Sequence, residues 1–291
     1  MGTSGWEDLA VTPVGQESGR YTATIDDRWM LLVVPQGGVV AAVAARAMAT
    51  ALDDAGQSLR SLTAVFAGQV ATGPVEIDVT VLRRGRSMSQ LTATVRNPGA
   101  KAGLTAVAVF GATRRGFEFT DLTFPDVEAP EGLRSYRDPV PDGVDFEFDR
   151  PPMPFWEEIV ECRPATGRPP WEPFESGPAE IVYWYRLDQP PLLDDGSLDP
   201  VGAIVLCDTM PGAVGQKIGP GTDQWFAPSV DLTMHLFGPA RPGWLLGRNQ
   251  ARRATGGYAS TDMELWSGHA DGDGFDLVAY ATQQMLFTFP A

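Results

Sequence analysis

The sequence predicts an α+β protein in which an antiparallel sheet wraps around one buried helix and in which this unit occurs twice. Three observations support that prediction: a hydrophobic alanine-rich segment, strands with alternating apolar residues after it, and an internal repeat. The chain has 291 residues, 43% of them apolar, which is enough to bury a sizeable core. We therefore expect folded domains rather than a disordered chain.

The buried helix is predicted between Gln36 and Leu52, where the sequence reads QGGVVAAVAARAMATAL. The segment contains no proline and is apolar on nearly every face, which is typical of a helix covered on all sides. It ends at 53–56, a polar stretch with a glycine that suits a helix terminus. Such a helix needs a sheet wrapped around it to bury its surface.

Strands follow the helix. Residues 75–82 alternate apolar and polar side chains, the period-two pattern of a half-buried strand, and 84–86 supply the turn after it. Similar patterns predict further strands at 89–95, 104–110, 155–162, 180–187 and 203–206.

Between these groups of strands the composition changes. Residues 116–152 are rich in Pro, Asp and Glu, and the prolines block regular structure. The segment also has too many aromatic residues for a solvated tail, so we expect it to pack on the surface. These aromatic residues are Phe117, Phe119, Phe124, Phe146 and Phe148.

The two parts of the chain repeat each other. Residues 62–77 align with 232–247 without a gap, matching Leu, Thr and two glycines, and 104–110 align with 277–283 after a small length change. We predict a double hotdog, the arrangement in which each of two sheets surrounds one helix. Its domains would be an N-terminal hotdog at 20–115, a proline-rich linker at 116–152 and a C-terminal hotdog at 153–291.

Several segments together resemble a known family: the GG-initiated alanine-rich helix, RSLTAVF, GPVEIDVTVLRRGRS, SVDLTMHLF, GGYASTDMELW and LVAYATQQ. In this order and spacing they resemble the bacterial type-II acyl-CoA thioesterases and their actinobacterial relatives, over residues 21–288 apart from the linker. The resemblance implies a double hotdog fold and hydrolysis of an acyl-CoA to free acid and coenzyme A. It also implies a site of Asp, Thr or Ser, and Gln in the second hotdog.

Carried over to this chain, the site residues are Asp208 in LCDTMPGA, Ser229 in SVDLT and Gln283 in ATQQM. Hydrolysis of a thioester needs a water held against the acyl carbon and a carboxylate that takes or orients its proton. We expect Asp208 at the start of a short helix, ionised by the helix dipole. Each residue also has a structural explanation: a helix N-cap, a strand-edge serine and a surface glutamine.

The repeat also predicts that only the second half is active. Overlaying the halves puts Leu59 in the place of Ser229, Phe110 in that of Gln283, and 36–38 in that of Asp208. Further predictions concern substrate binding. Gly37 and Gly38 either place a helix N-terminus near the thioester or only let the helix approach the sheet, and a tunnel is expected to be lined by Trp225, Phe226 and Leu236. Asp262 and Glu264 are expected to face solvent.

The formal net charge of −15 argues against a nucleic-acid partner. An anionic coenzyme A ester would then need a local basic patch, unless the arginines only solvate turns and strand ends. The arginines that could form the patch are Arg83, Arg84, Arg86, Arg114, Arg115, Arg252 and Arg253.

The remaining expectations are mostly negative. Cys162 and Cys207 are predicted to be ordinary buried thiols, and His235 and His269 lack metal-site spacing, so neither a metal nor another cofactor is expected. The start of the chain has no signal-peptide pattern and the apolar runs are too short for a membrane span, which favours a cytoplasmic protein.

Two other functions stay open. One is a non-catalytic protein that binds acyl-CoA or another acyl ligand, suggested by the serine in place of the more usual threonine and by the acidic surface. The other is a hotdog hydratase, which needs an Asp near a His and has less support. We also expect that the edges of the hotdog sheets could pair to form a homo-oligomer.

Overall fold

The computed structural model describes residues 6–15, 19–145, 153–167, 172, 175–219, 224–269, 272 and 274–289. The first half of the chain folds into one long helix and a series of strands. Their bounds are β1 Thr12–Pro13, β2 Arg20–Ile25, β3 Met30–Leu31, β4 Val34–Pro35, α1 Gly37–Leu52, β5 Ser58–Phe66, β6 Gly73–Arg83, β7 Met88–Arg96 and β8 Leu104–Gly111.

The second half repeats this order with a helix broken into two short ones. The bounds are β9 Val160–Pro164, β10 Glu180–Leu187, α2 Pro200–Cys207, α3 Gly212–Ile218, β11 Asp231–Leu236, β12 Trp244–Thr255, β13 Tyr258–Gly268 and β14 Phe275–Leu286.

The long strands of both halves join into one antiparallel sheet, in the order β1-β2-β6-β7-β8-β5-β11-β14-β13-β12-β10-β9. At its centre β5 pairs with β11, and Thr63 lies directly opposite Thr233. These two threonines are equivalent in the repeat, so a pseudo-two-fold axis passes between them. The strands β3 and β4 form a separate small hairpin. This architecture confirms the predicted double hotdog.

The core lies on the inner side of the sheet, where α1 packs against β6, β7 and β8 and also against α2. The small side chains of α1 let the two helices approach closely, and Ala41, Ala44 and Ala47 have no exposed surface. One cluster of buried apolar side chains runs through both halves. The two hotdogs therefore share a continuous hydrophobic core.

Two segments of the second half that were predicted to be strands are partly or wholly helical. In the segment 155–162, Phe155–Ile159 form a short π-helical turn and the strand begins only at Val160. The residues 203–206 belong to α2, which starts where the Asp199 side chain accepts a hydrogen bond from the Val201 N–H. Apolar runs this short do not distinguish a strand from a buried helix.

Between β8 and Phe155, the only regular element among the described residues is a 3-10 helix at Pro130–Gly132. Phe124 packs on Trp184, Trp266 and Phe275, on the outer face of the second half. The prediction of a surface-packed segment therefore holds for this part of it.

The other aromatic residues of the segment behave differently. Phe117 and Phe119 are 98% and 86% exposed, contrary to the expectation that they would pack. Phe146 and Phe148 lie outside the described residues. The domain limits at 115/116 and 152/153 stay predictions.

Candidate active site

Asp208 directly follows α2 and is its C-terminal capping residue. The prediction that it lies at the start of a helix is therefore wrong. Its carboxylate nevertheless lies at a helix N-terminus, because Oδ2 accepts a hydrogen bond from the Gly38 N–H of α1 at 2.7 Å. The two helices run side by side, so the end of one delivers the carboxylate to the beginning of the other. The carboxylate comes from the second half and the helix N-terminus from the first.

The structure brings all three expected site residues together. The Ser229 hydroxyl donates to Asp208 Oδ1 at 3.0 Å, and the Gln283 amide nitrogen donates both to Asp208 Oδ1 and, at 2.8 Å, to Ser229 Oγ. Ser229 lies just before β11 and bridges to β14 at Met285. Gln283 lies within β14 and is 2% exposed, so it is not a surface strand residue.

Burial raises the pKa of Asp208 to about 6, even though hydrogen bonds from Ser229, Gly38, Gln283 and Gly37 act in the opposite direction. Removing the carboxylate from water costs more than these donors return, so the pKa lies above the usual value for an aspartate. A pKa of about 6 still leaves the group mostly ionised at pH 7. A carboxyl group that titrates close to neutral pH is suited to accept a proton during a reaction.

Gln36 is a site residue that the sequence did not reveal. Its side-chain nitrogen donates to the backbone oxygens of Asp208, at 2.9 Å, and Val205, at 3.0 Å. Its side-chain oxygen accepts from the Val39 N–H at 3.0 Å, so the same amide caps α1. One buried glutamine thus fastens the end of α2 to the start of α1. No pattern in the sequence signals contacts across this separation.

Gly37 and Gly38 are required by close packing. A Cβ atom at Gly37 would lie 2.7 Å from Asp208 Oδ2, and one at Gly38 would lie 2.9 Å from the Ile204 backbone oxygen. The N–H of Gly38 already binds Asp208. The Gly38 N–H therefore supports the carboxylate, while contact of Gly37 and Gly38 with a thioester stays a prediction.

A cavity of about 1360 Å³ extends from Asp208 and Ser229. Trp225 and Phe226 line it, as predicted for substrate-binding positions, whereas Leu236 does not. The wall is largely apolar and includes part of the segment that links the two halves. Its aromatic members are Phe66, Tyr136, Trp156, Tyr183, Trp225 and Phe226.

The predicted basic patch is not at this cavity, since none of the seven arginines lines it. Arg84 donates to the Ala51 backbone oxygen near the far end of α1. A different arginine, Arg137, does line the cavity, and its guanidinium donates to Asp188 at 2.7 Å.

Asp262 and Glu264 are buried, contrary to the expectation that they face solvent. Arg252 binds Asp262 with two hydrogen bonds, and the Trp266 indole N–H donates to Glu264 at 3.2 Å. Neither carboxylate lines the cavity.

The strand pairing shows which first-half residue corresponds to Gln283. The residues opposite the two central threonines are Val107 on β8 and Thr282 on β14. One residue further along each strand, Ala108 corresponds to Gln283, so the predicted equivalence with Phe110 was wrong by two positions.

Comparing α1 with α2 shows which first-half residue corresponds to Asp208. Both α1 and α2 begin after a residue whose side chain caps them, and counting from there puts Ala45 in the place of Asp208. The stretch 36–38, which was expected there, instead faces Asp208 across the helix pair. Leu59 corresponds to Ser229 as predicted. All three first-half positions are therefore apolar, so the described part of the first half holds no second copy of the group at the equivalent positions.

Comparison with known proteins shows the family of this chain. A family model described as the acyl-CoA thioesterase C-terminal domain matches residues 130–287, and one described as the acyl-CoA thioesterase N-terminal domain matches 25–111. The chain belongs to the acyl-CoA thioesterase family. Its relatives are those of the TesB-like type, as the resemblance predicted.

Solved structures show the same fold for this acyl-CoA thioesterase family member. A conserved hot dog fold protein of Alicyclobacillus acidocaldarius is 25% identical over the full length of both chains, with a TM-score of 0.78. The acyl-CoA thioesterase II TesB2 of Mycobacterium marinum is 20% identical over 99% of both chains, with a TM-score of 0.71. The tesB protein of Mycobacterium avium subs paratuberculosis is 19% identical over 98% of both, with a TM-score of 0.72.

Curated sequences, metal-ligand groups and membrane-spanning helices were also compared or searched for in this family member. Comparison with curated protein sequences gave no match. Across the described ranges, no group of three or more His, Cys, Asp or Glu side chains is placed to hold a metal ion. No helix in the part of the chain that the structure describes has the length and hydrophobicity needed to cross a membrane.

Proposed function

We propose that this chain hydrolyses an acyl-CoA thioester to the free acid and coenzyme A, using a water molecule held by Asp208, Ser229 and Gln283. The observation that carries the proposal is the hydrogen-bonded group of these three side chains at one end of a large apolar cavity. Membership of the thioesterase family supports the reaction class.

In the proposed reaction Asp208 acts as the general base. It removes a proton from the water as the water oxygen bonds to the acyl carbon, and the carbon–sulfur bond then breaks. The proton passes to the departing sulfur, which regenerates the carboxylate. Ser229 and Gln283 hold the carboxylate and can each form a hydrogen bond with the water when one of their mutual bonds opens.

The cavity supports a large acyl ester as the substrate. Its volume of about 1360 Å³ exceeds the roughly 300–1,000 Å³ common for small-molecule sites. Trp225 and Phe226 lie on its wall beside Ser229 and are suited to contact an apolar acyl group.

The test is thiol release from a panel of short, medium, long and aromatic acyl-CoA esters. Replacing Asp208 with Asn removes the base but keeps the side-chain size, and we expect kcat to fall by about 100- to 10,000-fold. Asp121→Asn is the matched control, since this aspartate is exposed and does not line the cavity. Full activity in the Asp208 variant, with folding verified by circular dichroism, would refute the assignment.

A non-catalytic acyl-ligand binder is the second candidate. It is favoured by the saturation of the Asp208 carboxylate, which already accepts hydrogen bonds from Ser229, Gln283 and Gly38. Tight binding of coenzyme A esters without thiol release would support this function over hydrolysis.

Three organisational proposals accompany the function. The chain divides into hotdogs at 20–115 and 153–291 joined by a linker at 116–152. It acts in the cytoplasm. It can form a homo-oligomer through the edges of its sheet, which are β1 and β9.

A further inference from the structure

Two tyrosine side chains form a polar spot in the otherwise apolar cavity. Tyr136 comes from the segment between the hotdogs and Tyr183 from β10, and both line the cavity that holds Asp208. Their hydroxyl oxygens are 2.9 Å apart and joined by a hydrogen bond. Their rings meet edge to face at 84°. This phenol pair takes no part in the proposed hydrolysis.

The position of Tyr136 is fixed by its neighbours. Its backbone N–H donates to the Cys162 oxygen at 3.0 Å, which ties it to the edge strand β9. Next to it, Arg137 donates to the Trp156 backbone oxygen at 2.8 Å and to Asp188 at 2.7 Å. A ligand that reaches the phenol pair therefore finds it already ordered, which limits the entropy lost on binding.

The Tyr183 O–H has no acceptor within the phenol pair, because Tyr136 donates to Tyr183. Each phenol has one O–H hydrogen, so the bond between Tyr136 and Tyr183 uses only one of the two. Among the described residues no side chain or backbone oxygen accepts the second hydrogen. A ligand oxygen can accept it, and burial makes an unused donor costly when the cavity is filled by purely apolar groups.

The surroundings favour a neutral ligand oxygen over a charged one. Burial raises the pKa of both phenols, so both stay protonated. The cavity wall also carries the acidic residues Asp138 and Glu157 besides Asp208, which disfavours a second carboxylate on the ligand. The Arg137 guanidinium in the wall is ion-paired with Asp188 through Nη1, and its buried Nη2, which has no hydrogen-bond partner among the described residues, is a donor that a neutral ligand oxygen can also use.

The phenol pair lies within reach of an acyl group bound at Asp208. A Cβ atom at Gly212 would be 3.6 Å from the Tyr183 hydroxyl. Gly212 follows Asp208 by only four residues, and that chain segment spans at most about 15 Å.

We propose that Tyr136 and Tyr183 form a specificity subsite that binds a neutral oxygen on the acyl group, so that acyl esters bearing a hydroxyl or carbonyl are preferred over plain ones. The inference rests on the proposed function, because it assigns the acyl group to this cavity.

The experiment compares a medium-chain acyl-CoA ester with its hydroxylated forms, with the hydroxyl near the thioester, in the middle or at the end of the chain. Thiol release and binding affinity are measured for wild type and for the double variant Tyr136→Phe/Tyr183→Phe, because each single variant would still leave one phenol O–H without an acceptor. Tyr258→Phe is the matched control, since that tyrosine is 47% exposed and lies outside the cavity.

We expect wild type to prefer at least one hydroxylated ester by about tenfold in kcat/KM, the scale of one buried hydrogen bond. The double variant Tyr136→Phe/Tyr183→Phe should remove that preference, so that the ratio of kcat/KM for the hydroxylated ester to that for the plain ester falls to about one. Equal hydrolysis of all esters by the wild type, or an unchanged ratio in the double variant, would overturn the subsite and leave the proposed hydrolysis intact.

Absence of thiol release from every ester would instead contradict the proposed hydrolysis. In that case the affinities decide the subsite. Tighter binding of a hydroxylated ester that is lost in the double variant supports it, and equal affinities in wild type and double variant overturn it.

Discussion

Asp208 shows two opposing effects on a single side chain. It is 6% exposed, and this burial disfavours its charged form. Ser229, Gln283 and the start of α1 donate hydrogen bonds that favour the charge. Burial is the larger effect, so the pKa rises to about 6 and the group can change protonation state near neutral pH.

This residue leads to a prediction for pH dependence. The reaction needs the ionised carboxylate, so kcat/KM should rise about tenfold per pH unit below pH 6 and level off above it. Stability should change in the other direction. A native pKa above the unfolded value of about 4 means that folding stability declines as the pH rises from about 4 to 6.

The activity profile is measured with a plain acyl-CoA ester between about pH 5 and 8, and chemical denaturation gives the stability between about pH 4 and 7. The residual activity of Asp208→Asn should not fall as the pH is lowered below about 6. A flat profile in wild type would contradict the role of this carboxyl as the base.

At the level of elements, the start of α1 lets α2 and the Asp208 side chain approach it closely. Gly37 and Gly38 leave room for the Asp208 carboxylate, while the Gln36 amide holds the backbone that carries it. The same helix turn therefore serves as a helix start, as a packing surface for α2 and as the support of the site.

Gly38→Ala tests this use of the helix. In an ordinary helix alanine is favoured over glycine by about 1 kcal/mol. Here the added Cβ would lie 2.9 Å from the Ile204 oxygen and 3.0 Å from Asp208 Cβ. We expect the crowding to cost about 1–3 kcal/mol of stability and the displacement of Asp208 to lower kcat/KM by about 100-fold.

Thermal denaturation and thiol release measure the two effects. Thr50→Ala is the control, because Thr50 is exposed near the other end of the same helix. Unchanged activity in Gly38→Ala alongside raised stability would show that the contact with Asp208 is not needed.

At the scale of the whole molecule, the two hotdogs form one structural unit. The sheet is continuous through β5 and β11, and the hydrophobic core extends through both halves. The candidate site depends on this arrangement, because Asp208 is supported by residues of α1 from the other half.

We therefore predict that the described hotdogs unfold together. Leu232 lies at the seam opposite Ala64 and is fully buried. Leu232→Ala should lower the free energy of unfolding by about 2–5 kcal/mol while keeping a single calorimetric transition. Val65→Ala, at a seam position that is 47% exposed, should have a much smaller effect. Two separate transitions in either protein would contradict the shared core.

The sequence by itself determined the features that depend on local pattern. The helix at 36–52 and the strands at 75–82, 89–95 and 104–110 were predicted to within a few residues, because helix propensity and alternating burial act over short distances. The internal repeat and the resemblance predicted the double hotdog, and the resemblance brought Asp208, Ser229 and Gln283 into consideration.

Only the tertiary structure decided what those residues contact. Asp208 faces α1 rather than the helix next to it in sequence, Gln36 binds the loop that carries it, and Asp262 is buried against an arginine. Burial and long-range hydrogen bonds depend on how distant segments pack. The pKa of Asp208, the shape of the cavity and the phenol pair follow from that packing, so no local pattern could predict them.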